Sequence, residues 1–255
     1  MTDNKHIVLK GVHKAFGSNI VLNGVNLTVN RGESLVVLGG SGTGKSVMLK
    51  CILGLLGADS GSICVSGHEM VGASTSLQER VISCMSMLFQ GSALFDSLTI
   101  ADNISFRLRQ QKDLTERQIH EKVMEKLAAV GLAARVASLY PAELSGGMLR
   151  RAALARAIIT NPEIVFFDEP TTGLDPIMSA VINDLISTSV KELGATAVTI
   201  THDLASARKI ADRVALIHQG KILWHDDVKN LDTSKNPAVE QFVNGRLEGP
   251  LTPKS

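Results

Sequence analysis

The feature that most constrains this chain is an octapeptide, Gly39-Gly40-Ser41-Gly42-Thr43-Gly44-Lys45-Ser46, set between two apolar runs. Ser34-Leu35-Val36-Val37-Leu38 precedes it and Val47-Met48-Leu49-Lys50-Cys51-Ile52-Leu53 follows, which reads as strand, glycine loop, helix. Glycines let successive backbone N–H groups converge as an anion nest, and the following helix adds its unpaired N–H groups and positive dipole end. Lys45 is then placed to reach the β- and γ-phosphates of a nucleotide, and the Ser46 hydroxyl to hold a magnesium ion. A chance glycine-rich turn is the competing reading. The complete pattern in a strand–helix setting argues against it, although alone it specifies only nucleoside-triphosphate binding.

With 255 residues the chain has room for one large domain or two small ones. A net charge of +1 offers no electrostatic case for nucleic acid or an anionic membrane surface. The three cysteines, Cys51, Cys64 and Cys84, form no CxxC pair and read as buried reduced thiols. No signal-peptide core follows the N-terminus, and no apolar run approaches the ~18 residues of a membrane span. The expectation is a cytoplasmic chain that meets a membrane only through a partner.

Around the octapeptide, 7–16, 21–29 and 34–38 read as short strands, with Phe16 closing the first, and 62–66 as another. The middle third is helical in pattern. Thr115-x-x-Gln118 is a capping box before Ile119, Val123, Leu127 and Val130, a core-facing stripe, and 148–159 is helical with Arg150, Arg151 and Arg156 among alanines. Residues of about 91–160 therefore read as a helical insertion. The core resumes with Glu163-Ile164-Val165-Phe166-Phe167-Asp168-Glu169, a buried parallel strand whose carboxyl end would line a site. A helix over 177–193 capped by Gly194, a strand over 195–201 ending at His202, a short helix over 204–211 and a hairpin around Gln219-Gly220 follow. From Asp226 the chain turns polar, a C-terminal extension (226–255) of low predicted structure apart from a helical turn at Val239, Phe242 and Val243.

Asp168 at the end of the buried strand suits a magnesium ligand, and Glu169 could orient and deprotonate an attacking water. Two acids opening an ordinary loop are the alternative, which the upstream phosphate loop disfavours.

Taken together, GGSGTGKS, Gln90, LSGGM, IVFFDE, Gly173-Leu174-Asp175 and His202, in that order, resemble the nucleotide-binding domain of an ABC (ATP-binding cassette) transporter over residues 6–225. The resemblance implies an α/β fold: a P-loop NTPase (RecA-like) core with an antiparallel β subdomain and a helical insertion, the cassette filling 1–225. It implies ATP and Mg2+, and ATP hydrolysis by Lys45, Gln90, Glu169 and His202, with Ser46, Gln90 and Asp168 toward the metal. Phe16 would stack on adenine, although an ordinary core aromatic is an equal reading of a lone Phe. Ser145, Gly146 and Gly147 would bind the γ-phosphate of ATP held by a second copy, with Asp175 across that interface. Met148 stands where many members have Gln. With LSGGMLRRAALARAI, FQGSALFDSLT and NPAVEQFVNG it is similar to the ATPase of Mla/Mce-type phospholipid transporters. That likeness implies a permease, a periplasmic Mce lipid-binding protein, a small STAS-domain partner and a position on the inner side of the cell membrane. The ATPase of a small-molecule importer, or a soluble ABC protein of translation or DNA repair, are the alternatives. Leu94, Phe95 and Leu98, just after Gln90, would either dock the permease or pack inside the helical insertion.

Overall fold

The computed structural model describes residues 4–111 and 113–252, which divide into two compact units, 4–84 with 196–252, and 85–195. The first unit opens with β1 (Lys5–Phe16) and β2 (Asn19–Asn30), an antiparallel pair. In β1 the buried residues Ile7 and Leu9 keep the two-residue period, and Val12 breaks it. A register shift between Leu9 and Val12, where Gly11 takes φ 55°, supplies the extra residue and keeps all three on the core face. After β3 (Ser34–Leu38) and α1 (Lys45–Ile52), β4 (Ser60–Val65) returns to pair with β1, and β5 (His68–Glu69) completes an antiparallel sheet ordered β2-β1-β4-β5. α2 (Thr75–Ser83), capped by the Ser74 hydroxyl, ends this stretch.

The second unit begins with β6 (Met85–Leu88) and continues through α3 (Ile100–Gln111) and α4 (Glu116–Ala129). The capping box expected at Thr115 forms, with Ile119, Val123 and Leu127 buried. α5 (Gly146–Ile158) leads to β7 (Ile164–Asp168), all five residues buried and parallel to β6. α6 (Pro176–Leu193) closes on Gly194, whose φ of 61° gives the left-handed C-cap. Besides α3, α4 and α5 this unit takes in β6, β7 and α6.

The chain then rejoins the first unit with β8 (Thr196–Thr201), α7 (Leu204–Ile210), β9 (Arg213–His218) and β10 (Lys221–Asp227). β3 pairs in parallel with both β8 and β9, and β10 adds an antiparallel edge. Leu35, Val36, Val37 and Leu38 are all buried, as a strand covered on both faces requires.

Beyond Asp226 the chain is more ordered than its polar composition suggests. β10 runs to Asp227, and α8 (Pro237–Asn244) is capped by Asn236. The Gln241 side chain then holds the chain after α8, donating to the Arg246 carbonyl and the Thr252 hydroxyl and accepting from the Leu251 N–H. All three cysteines are free, but only Cys51 is buried; Cys64 is half-buried and Cys84 exposed. Among the described residues, no helix is long and apolar enough to cross a membrane.

Candidate functional site

The residues singled out in the sequence fall on both units. On the first, the octapeptide joins the buried end of β3 to α1 and is held from three sides. Gly44 takes φ 103°, and a Cβ there would meet the Val21 carbonyl at 2.8 Å, so only glycine fits. The Thr43 hydroxyl donates to the Gly40 carbonyl at 2.9 Å, and the Thr43 carbonyl accepts the Gly220 N–H at 3.2 Å. Lys45 is buried, its ammonium donating to the carbonyls of Gly39 (2.7 Å) and Gly40 (2.9 Å), which curls the loop around the cation. Gly40, Ser41 and Gly42 are exposed, and Ser46 is half-buried on the first turn of α1. The arrangement is a backbone cradle with a fixed cation and a hydroxyl, suited to a polyphosphate.

Phe16, at the end of β1, is 49% exposed, which excludes the core-aromatic reading. The Lys14 ammonium lies 5.6 Å from its ring centroid while bonded to Asp59 at 2.6 Å. That lysine, and a backbone N–H from Ala15, hold the Asp59 carboxyl below the usual carboxylate range. His202 sits exposed just beyond β8. Beside it Asp203 caps α7; burial works to raise its pKa, but bonds from Ser206 and Ala205 and the nearby His202 outweigh this and hold it low.

On the second unit, Asp168 and Glu169 follow one another at the end of β7, both buried. Glu169 adopts φ 48°, the left-handed region a non-glycine residue enters at a cost of about 1–3 kcal/mol. Its Oε2 accepts the Thr172 hydroxyl at 3.0 Å, and its backbone carbonyl accepts the Thr172 N–H at 3.2 Å. Gln90 is exposed just after β6. Ser145 is the N-cap of α5, its hydroxyl accepting from Met148 N–H at 3.4 Å, with Gly146 exposed beside it. Gly147 is buried; a Cβ there would meet Met178 of α6 at 2.5 Å. Asp175 caps α6, accepting from Ile177 and Met178 N–H at 2.9 and 3.0 Å, and Ile177 next to it is 77% exposed.

Three residues to which the sequence reading gives no role at the site organise this unit. Arg150 donates to the carbonyls of Phe89 (3.0 Å), Gln90 and Thr172 (3.3 Å). Arg156 donates to those of Ser92 (2.7 Å) and Ala93 (2.6 Å), both at positive φ. Burial pushes both guanidinium groups below their ordinary range. Asn103, fully buried on α3, accepts from Phe95 N–H at 2.7 Å and donates to the carbonyls of Phe95, Leu98 and Thr99. The sequence signal for the arginines is two cations embedded in an alanine-rich helix; for Asn103 there is none. Phe95 is 48% exposed with its ring 5.1 Å from that of Phe106, while Leu94 and Leu98 are half-buried.

A family model described as ABC transporter matches residues 22–172. The probable ribonucleotide transport ATP-binding protein mkl of Mycobacterium tuberculosis is 40% identical over 245 residues, 96% of this chain and 68% of that protein. The intermembrane phospholipid transport system ATP-binding protein MlaF of Escherichia coli is 40% identical over 235 residues, 92% of this chain and 87% of that protein. A solved ATP-binding cassette, in a dimeric post-hydrolysis state bound to ADP and Pi, superposes with a TM-score of 0.80 at 29% identity, covering 87% of this chain and 98% of its own. With its phosphate cradle on the strand–helix junction and its paired acids closing a buried strand, the chain belongs to the ABC transporter family, as an ATP-binding subunit that hydrolyses ATP.

Proposed function

We propose that this chain energises phospholipid transport between membranes, as the ATPase of a transporter whose permease is a separate chain. The observation that carries the reading is the 40% identity to a phospholipid-transport ATPase across 92% of this chain. The equally similar ribonucleotide-transport relative supplies the second reading.

Within the site, Lys45 and the loop N–H groups take the β- and γ-phosphates, and Phe16 takes the adenine. The exposed ring and the Lys14 cation beside it support that role for Phe16. Ser46, Gln90 and Asp168 are the candidate magnesium ligands. Hydroxyl, amide and carboxylate oxygens are the hard donors Mg2+ selects, and the ion would supply charge neutralisation at the phosphates. Glu169 takes the proton of the attacking water, Gln90 orients that water, and His202 contacts the γ-phosphate and keeps Glu169 in line. Ser145, Gly146 and Gly147 read the ATP of a second copy, with Asp175 at the interface. The exposed apolar Ile177 beside the Asp175 cap suits burial against that copy. The segment 91–98, with Phe95 half exposed, would meet the permease, which would place the chain on the inner side of the membrane. A Mce lipid-binding protein and a STAS-domain protein complete the proposed assembly; nucleic acid has no place in it.

The test is reconstitution of the chain with its permease in vesicles carrying a fluorescent phospholipid. ATP-dependent lipid transfer is expected, absent with Glu169→Gln, which should still bind ATP, and absent with Lys45→Ala, which should not. ATP-dependent ribonucleotide uptake without lipid transfer would overturn the lipid reading. Full turnover in Glu169→Gln would overturn the site.

A further inference from the structure

Arg150 connects the two residues assigned to water activation. It leaves the buried face of α5 with 7% of its surface exposed and donates to the backbone carbonyl of Gln90 from one side of its fork. From the other it donates to the carbonyl of Thr172, 3.3 Å away. Thr172 in turn gives its hydroxyl to Glu169 Oε2 at 3.0 Å and its N–H to the Glu169 carbonyl at 3.2 Å. A continuous chain of hydrogen bonds therefore runs from the Gln90 backbone through Arg150 and Thr172 to the Glu169 carboxylate.

The energetics argue that this is more than space filling. The acceptors of Arg150 are neutral carbonyls, so no opposite charge in these bonds offsets the cost of burying the guanidinium. An apolar side chain of similar length would pack there without that desolvation cost. A planar fork, by contrast, presents its donors at a fixed spacing to carbonyls on different segments, whereas the donors of an ammonium rotate about a single point. What it fixes is costly to hold otherwise: Glu169 sits at φ 48°, and Ser92 and Ala93, tied by Arg156 on the same helix, sit at φ 62° and 48°. The helix also opens at Ser145, five residues or about 7.5 Å along the axis from Arg150.

We propose that Arg150 is a positioning residue for ATP hydrolysis, locking the Gln90 backbone and the Glu169 carboxylate into one unit carried by α5. The inference rests on the roles given to Gln90, Glu169 and Ser145 above. Because α5 begins with the Ser145-Gly146-Gly147 stretch, engagement of that stretch by a second copy's nucleotide is felt directly at the hydrolytic pair of its own copy.

The experiment is steady-state ATP hydrolysis by the purified full chain carrying Arg150→Met, Arg150→Lys or Arg151→Met. Arg151 lies on the same helix but donates to the Gly131 carbonyl at 2.9 Å, away from the pair. Both Arg150 variants should lose about 10- to 100-fold in kcat, the scale of a small misplacement of catalytic groups, with KM for ATP nearly unchanged. Arg151→Met should hydrolyse at the unaltered rate. An Arg150→Met chain with full kcat, or a rate recovered in full by Arg150→Lys, would each overturn the proposal. If Arg150→Met does not fold, the Arg150→Lys split between kcat and KM decides. Full turnover by Glu169→Gln would remove the underlying site assignment, whereas a dead Glu169→Gln beside an active Arg150→Met would sink this inference alone.

Discussion

Alanine at Gly39 should damage the phosphate loop where alanine at Gly40, one residue on, should not. A Cβ on Gly39 would lie 2.6 Å from the Ile217 carbonyl of β9, 2.8 Å from the Thr43 hydroxyl and 2.9 Å from Ile217 Cγ2. Ordinary contact begins at 3.4 Å, so loop and strand must part by about 0.8 Å, and the obstacle is backbone rather than a movable side chain. Overpacking of this kind costs about 1–3 kcal/mol. A Cβ on Gly40 would meet only Thr43 Cγ2 at 3.9 Å, which places that change within about 0.5 kcal/mol of neutral. The single tryptophan, Trp224, lies on β10, opposite Leu216 of β9, so its fluorescence during urea unfolding reports on this sheet. Gly39→Ala should lower the unfolding midpoint clearly and Gly40→Ala hardly at all. ATP binding should weaken with Gly39→Ala as well, because the Lys45 ammonium is anchored on the Gly39 carbonyl. Equal midpoints for the two variants would refute the argument from loop–strand contact.

A Lys45→Ala chain mixed with a Ser145→Arg chain should form one dimer with a single undamaged composite site and measurable ATPase activity; dimers without any activity would count against action of Ser145 on its partner's nucleotide. Phe95→Glu should cost only the Phe95–Phe106 ring contact, about 0.5–1.5 kcal/mol, leaving ATP binding intact while co-purification with the permease is lost. A fall in thermal stability with permease binding retained would favour internal packing. His225 is pushed from 6.5 down to about 4, mainly by burial and then by Arg213, against the pull of Asp226. A base whose folded pKa is lowered leaves the unfolded chain binding more protons between those values, so stability should fall as pH drops from about 6.5 to about 4. Urea midpoints measured across that range should flatten in His225→Gln.

What could be read in the sequence was what rests on local signals. The phosphate loop, β3 and β7 announce themselves by glycines and unbroken apolar runs, and α4 and α6 by a capping box and a terminal glycine. α3 escaped because its buried face includes Asn103 and Ser105, which interrupt the apolar stripe while serving hydrogen bonds set by the fold. α2 buries only Val81, too little for a periodic signal. The order after Asp226 depends on Gln241 reaching residues 246–252, contacts that composition does not encode. The motif residues of the candidate site stand out in the sequence one by one. The arginines that bind Gln90, Ser92, Ala93 and Thr172 together do not, since their partners lie some 60 and 20 residues away.

The parallel pairing of β3 with β8 and β9 has a further consequence during synthesis. β3 ends at Leu38, and neither neighbour exists until residues 196–218 have been made. At about 5–20 residues per second, the strand that carries the phosphate loop waits on the order of ten to thirty seconds for its first hydrogen-bonding partner. Through that interval Leu35, Val36, Val37 and Leu38, all destined for burial, stay available to any other apolar surface the nascent chain meets. The phosphate loop is therefore made well before the two strands that pair with the strand carrying it.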